Sequence, residues 1–134
     1  PVEAAKDKTE PFMYMLNTST IQGQKLSLVE EIEIASRCGY QAIEPWIREL
    51  DQYVKDGGAL KDLGKRIADA GLTVESSIGF AEWIVDDDAR RKKGLEHARR
   101  DMDMVRPIGG KRMAAPPAGA PDRTDTSRPT LAQR

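Results

Sequence analysis

The sequence predicts a parallel α/β fold, the amino-terminal half of a (β/α)8 barrel with about four strands and three helices, cut off at the start of a fourth helix. Three observations predict it. Short apolar runs alternate with segments of helical period. Gly39, Gly71 and Gly109 stop those segments 32 and 38 residues apart, and each glycine is followed within two residues by a strand pattern, so the unit repeats. The loop after the first strand, Asn17-Thr-Ser-Thr-Ile-Gln-Gly-Gln, has no Gly-rich phosphate turn of the kind that an open dinucleotide-binding sheet carries. Alternating strands and helices with short connections require a parallel sheet and right-handed crossovers. A complete barrel of eight units takes about 250 residues, so 134 residues correspond to roughly half.

Residues 1–11 (PVEAAKDKTEP) are polar and aperiodic and read as a linker or leader remnant, which leaves 12–134 as the partial barrel. The run from Phe12 breaks into polar residues at Asn17, as a buried strand does at its end. Ser27 and Glu30 form a capping box, and Leu28, Ile32, Ala35 and Cys38 follow at helical spacing up to Gly39. Tyr40 to Glu44 is a second strand, because Pro45 cannot donate to a ladder. Leu60, Leu63, Ile67 and Ala70 make the second helix, which leads through Gly71 into a third strand from Leu72 to Ile78. The third helix starts at the Asp86-Asp-Asp cap and runs on a stripe of Leu95, Ala98, Met102 and Val105. Pro107 should loosen its last turn. Lys111 to Pro116 is the fourth strand. The stretch from Ala118 to Arg128 reads as loop, and Ser127 with Pro129 marks the start of a further helix.

Composition narrows the functions. With 39% hydrophobic and 32% charged residues the chain is a soluble globular one with a single modest core. Twenty-one basic against twenty-two acidic residues provide no field to gather a phosphate backbone or anionic lipid, so nucleic acid is not expected as a partner. No apolar run reaches the roughly 18 residues of a membrane span. The single Cys38 cannot form an intrachain disulfide and reads as a small buried residue of the first helix.

Barrel enzymes build their sites from the carboxyl ends of their strands. Here those ends hold Asn17, Thr18 and Ser19; Glu44, Pro45 and Trp46; Glu75, Ser76, Ser77, Phe80, Glu82 and Trp83; and Pro116, Pro117 and Gly119. Amides and hydroxyls there can bond sugar hydroxyls, and an indole can stack on the apolar face of a sugar ring. Each position has a plainer reading too. Asn17 could cap its own loop, Trp46 and Trp83 could anchor loops, and Glu44 could pair with a basic neighbour. Glu44 is the best candidate for a catalytic group, since a carboxylate directly after an apolar strand faces a crowded rim.

The segments Leu16-Asn-Thr-Ser-Thr-Ile, Gly39-Tyr-Gln-Ala-Ile-Glu-Pro-Trp, Gly71-Leu-Thr-Val-Glu-Ser and Ile108-Gly-Gly-Lys-Arg-Met-Ala-Ala-Pro-Pro together resemble the xylose-isomerase-like TIM-barrel family of sugar phosphate isomerases and epimerases. The Gly-aromatic-x-Ala-Ile-Glu pattern is the most specific of them. The resemblance implies a divalent metal (Mn²⁺, Mg²⁺, Co²⁺ or Zn²⁺) in a full-length parent and proton transfer through an enediolate by carboxylates. The family's metal ligands come mostly from strands five to eight, so no metal site is expected within this fragment, and the fragment alone is expected to be inactive. The endonuclease branch of the family also places histidines at the ends of strands three and four, where this chain has Ser76, Ser77 and Pro116.

The remaining candidates are structural. His97 lies two residues past Leu95, ~200° around the helix and off its apolar stripe. Asp86-Asp-Asp is a cap and not a metal site, and Arg90-Arg-Lys-Lys is a solvated helix face. The expectation is therefore a fragment of a metal-dependent sugar or sugar-phosphate isomerase or epimerase, lined at its substrate end by Asn17, Glu44, Trp46, Glu82 and Trp83. An inosose-type dehydratase of the same family is one alternative; a non-catalytic, carbohydrate-binding or pairing half-barrel is another. A small carbohydrate is the expected ligand, self-association through exposed strand edges is expected, and the resemblance leans towards an exported protein.

Overall fold

A computed structural model describes residues 11–120. In chain order it contains β1 (Met15–Asn17), a 3-10 segment (Thr18–Gln24), α1 (Leu28–Arg37), β2 (Ala42–Glu44), α2 (Ile47–Lys55), α3 (Leu60–Asp69), β3 (Thr73–Val74), α4 (Asp88–Val105) and a 3-10 turn (Arg106–Ile108). The strands form one parallel sheet in the order β1-β2-β3, with Met15, Leu16 and Asn17 opposite Ala42, Ile43 and Glu44, and Ala42 and Ile43 opposite Thr73 and Val74. The expected linker at 1–11, apart from Pro11, and the further helix start at Ser127 lie outside the described residues.

The fourth strand narrows to a bridge. Ile78 pairs in parallel with Trp46 on one side and Ala114 on the other. Ala114 N–H donates to the Ser77 carbonyl at 2.7 Å and Gly79 N–H to the Ala114 carbonyl at 3.1 Å, so Ala114 sits beside Ser77 to Gly79, past the end of β3, which is shorter than the expected strand from Leu72 to Ile78. Pro116 and Pro117 carry no N–H with which to extend that ladder.

Alternation sorts the strand residues. Leu16, Ile43 and Val74 pack against Ile32, Ala35, Leu63 and Ile67 of the helices in the main core. Met15, Asn17, Ala42, Glu44 and Thr73 point to the opposite, inner face of the sheet. The helices start and stop as the sequence requires. Ser27 Oγ accepts from Glu30 N–H, Glu30 returns a bond to Ser27 N–H at 2.7 Å, and Gly39 and Gly71 take φ of 83° and 74° beyond α1 and α3. α4 gives way at Val105 to a 3-10 turn holding Pro107.

Four further features differ from the sequence reading. α2 is an additional helix, made by Ile47 and Leu50 on one buried face. The loop after β1 is a 3-10 segment. Cys38 is exposed, because α1 ends at Arg37 and Cys38 is its C-cap, already past the buried face. On α4 the buried side is Gly94, Asp101 and Val105, while Leu95 and Met102 stay 42% and 49% exposed. Gly94 explains that rotation. A Cβ there would lie 2.0 Å from the Glu82 carbonyl oxygen, so the helix docks its glycine against the loop after β3 and turns Leu95 outwards.

Candidate functional site

The carboxyl ends of β1 and β2 meet in a hydrogen-bonded cluster on the inner face. Asn17 and Glu44 are register partners, so their side chains emerge side by side. Asn17 Nδ2 donates to Glu44 Oε2 at 2.6 Å. Asn17 Oδ1 accepts from Ser19 N–H at 3.0 Å, Ser19 Oγ at 2.7 Å and Trp46 Nε1 at 3.0 Å. Three donors converge on one end of the amide and a carboxylate on the other, which fixes which end is oxygen. Asn17 thus caps its loop and also holds Glu44 and Trp46.

Glu44 is half-buried, and among the described residues it pairs with no Lys or Arg. Its second carboxylate oxygen is left for other partners. Trp46 packs against Phe80 with ring centroids 5.0 Å apart and an interplanar angle of 43°. The Arg48 guanidinium stands 4.5 Å from the Trp46 ring centroid and donates to Gln22 Oε1 at 2.6 Å. Phe80, from the loop after β3, is 48% exposed, so the aromatic pair offers open apolar surface beside a carboxylate and an amide.

Behind this rim lies an acidic layer that the sequence reading missed. Thr18 is fully buried and donates to Glu49 Oε2 at 2.5 Å, and the same oxygen accepts Trp46 N–H at 2.9 Å. Glu31 of α1 is 2% exposed, and among the described residues its Oε2 has no hydrogen-bond partner. Burial, then the negative charge of Glu49, push its carboxyl up to about 7, against the opposing charge of Arg48. The sequence signal is Glu31 on the inward face of α1, one turn before the buried Ala35.

Glu82 and Trp83 are placed differently. Glu82 forms an ion pair with Arg90 at 2.9 Å. Trp83 Nε1 donates to the carbonyls of Ala115 at 3.2 Å and Pro116 at 3.0 Å, tying the loop after β3 to the fourth strand. No contact brings either to Asn17 and Glu44. His97 is exposed, with Nε2 3.4 Å from Oδ1 of the buried Asp101. The Asp86-Asp-Asp run caps α4 through Asp87, which accepts from Arg90 N–H. Among the described residues no group of three or more His, Cys, Asp or Glu converges as a metal centre requires, so these residues do not by themselves fit the divalent ion that the resemblance implies. Nor is any described helix long and apolar enough to cross a membrane.

No protein-family model and no curated protein matches the sequence. Solved structures do match in shape. A D-psicose 3-epimerase determined in the presence of D-fructose superposes with a TM-score of 0.66 at 18% identity, over 89% of this chain and 42% of its own. The probable 3-DHS dehydratase AsbF of Bacillus anthracis gives 0.67 at 14%, over 78% of this chain and 38% of its own. A sugar phosphate isomerase/epimerase of Parabacteroides distasonis gives 0.58 at 22%, over 86% and 42%. A xylose isomerase-like TIM barrel/4-hydroxyphenylpyruvate dioxygenase fusion protein gives 0.65 at 20%, over 75% of this chain and 15% of its own. The chain spans about two fifths of the length of the epimerase, the dehydratase and the isomerase/epimerase. With parallel strands, crossover helices and a rim of polar side chains at the strand ends, it carries part of the xylose isomerase-like TIM-barrel fold.

Proposed function

We propose that the chain is the amino-terminal part of a sugar or sugar-phosphate isomerase or epimerase, and that Asn17, Glu44 and Trp46 line its substrate end. The observation that carries this is the Asn17–Glu44–Trp46 network on the inner face at the strand ends, in a fold shared with an epimerase and an isomerase/epimerase. In such a reaction a carbon-bound hydrogen beside a ketose carbonyl leaves as a proton to a carboxylate. Its electron pair moves into the carbonyl to form an enediolate, and the proton returns to the neighbouring carbon or the opposite face. Glu44, held by one oxygen and free at the other, suits proton transfer or the binding of a sugar hydroxyl. Trp46 and Phe80 supply an apolar surface for the C–H face of the ring. Glu82, paired with Arg90, and Trp83, bonded to the Ala115 and Pro116 carbonyls, have no contact that joins them to this cluster among the described residues. A divalent ion assisting this chemistry needs ligands from outside residues 11–120.

The likeness to a 3-DHS dehydratase supports a second reading. The first proton abstraction is the same, but the intermediate then expels a hydroxyl from the β-carbon as water. Incubating the whole protein with a panel of ketoses and keto-polyols in D₂O separates the two. Deuterium in recovered substrate and a rearranged sugar support the isomerase or epimerase. Loss of water with a new enone absorbance supports the dehydratase. Binding without exchange or turnover leaves a non-catalytic carbohydrate-binding module.

A further inference from the structure

Glu31 is a buried acid with one carboxylate oxygen unpartnered among the described residues. It sits in α1 with its side chain turned inwards, and its Oε2 is buried without a hydrogen bond. The groups around it are already committed. Glu49 of α2 is held by the Thr18 hydroxyl and by Trp46 N–H, so it cannot swing aside. Arg48, the nearest cation, is exposed and occupied with Gln22 and the Trp46 ring. On β2, Glu44 takes the Asn17 amide, and the 3-10 segment TSTIQGQ has no charged residue. Arg66 of α3 reaches α1 only at Glu33, at 3.9 Å.

We propose that Glu31 is a protonation-dependent positioning residue for the Trp46–Arg48 end of the rim: protonated, it lets the first turn of α2 pack on α1, and ionised, it pushes that turn away. The weak point is α2 itself, whose N-cap is Trp46 and whose first turn is secured by Glu49, the group Glu31 repels. Trp46 and Arg48 flank the start of that turn and would move with it. This movement does not depend on which ligand the rim takes, and it is read in the environment of Trp46 and not in turnover.

The direction of the pH dependence follows from burial and the Glu49 charge, which hold the Glu31 proton in the folded chain up to about pH 7, above the ordinary value of 4.5. The folded chain therefore binds this proton more tightly than the unfolded one. Its stabilising contribution is complete below about 4.5 and is lost as pH rises through about 7.

The test follows Trp46 in the full chain carrying Trp83→Phe, which leaves one indole, by fluorescence from about pH 5 to pH 9. The expected result is a shift in emission with a midpoint near pH 7. Glu31→Gln should abolish it and hold the acid-form spectrum throughout, and Glu49→Gln should move the midpoint down. His97→Gln, which removes the only imidazole, should leave it in place. If Trp83→Phe impairs folding, the Trp46 Nε1–H resonance of the unsubstituted chain, followed by ¹H–¹⁵N NMR, reports the same transition. A flat Trp46 signal overturns the proposal, as does a step that survives Glu31→Gln or disappears with His97→Gln.

Discussion

Asn17 ends β1 and Trp83 lies in the loop after β3, and both commit their polar atoms to the protein, yet with different consequences. Asn17 spends its atoms on Glu44 and Trp46, so it orients the groups that face the inner side. Trp83 spends its indole N–H on two backbone carbonyls and so holds a loop. In the whole protein, Glu44→Gln should lower kcat/KM by about 10²-fold, the scale of a lost general base, while His97→Ala stays within about twofold. Steady-state kinetics on the two variants checks this, and equal effects would remove Glu44 from the site. Trp46→Ala should weaken sugar binding by about 0.5–2 kcal/mol through lost ring contact. Trp83→Ala should leave affinity intact and reduce stability by about 0.5–1.5 kcal/mol, since the loop loses its tie to the Ala115 and Pro116 carbonyls, which water can reach. Calorimetric titration and denaturant melts on the same pair of proteins separate those outcomes.

Elements were legible where one local rule acted alone. The Ser27–Glu30 capping box and the apolar spacing of α3 fixed two helices from a few residues each, and the Gly39 and Gly71 stops followed from the need for positive φ. α2 was not legible, because Trp46 is not a capping residue and its backbone is satisfied by Glu49 three positions on. The face of α4 was misread for a tertiary reason. Leu95 and Met102 outrank Gly94 and Asp101 in hydrophobicity, but the close approach to Glu82 needs a residue without a Cβ. Of the site, Asn17, Glu44 and Trp46 could be read from strand ends, whereas Glu31 and Glu49 could not, since their meeting depends on how α1 and α2 pack. Gly94→Ala checks the packing argument. Helix propensity alone would raise stability by about 1 kcal/mol; the contact with Glu82 should instead lower it by about 1–3 kcal/mol, seen as a reduced Tm.

On the scale of the molecule, β1 has a neighbour on one side only among the described residues, and Phe12 and Met13 beside it are 68% and 67% exposed. An unpaired strand edge flanked by apolar side chains recruits another edge. Residues 1–134 alone should therefore self-associate, turn over no sugar and bind Mn²⁺ no better than a generic acidic surface. Light scattering after sizing chromatography and metal calorimetry check this, and Met13→Lys should shift the population towards monomer. The tie made by Trp83 reaches further than its loop. It joins residues 32 and 33 positions apart in sequence, and the bridge at Ala114 leans on Ile78, the same residue that pairs with Trp46. Fraying at the fourth strand is thus not a local event: losing it frees the loop that carries Phe80, and the ring surface beside Trp46 dissolves with it. The rim and the far edge of the sheet are therefore expected to open and close as one cooperative unit.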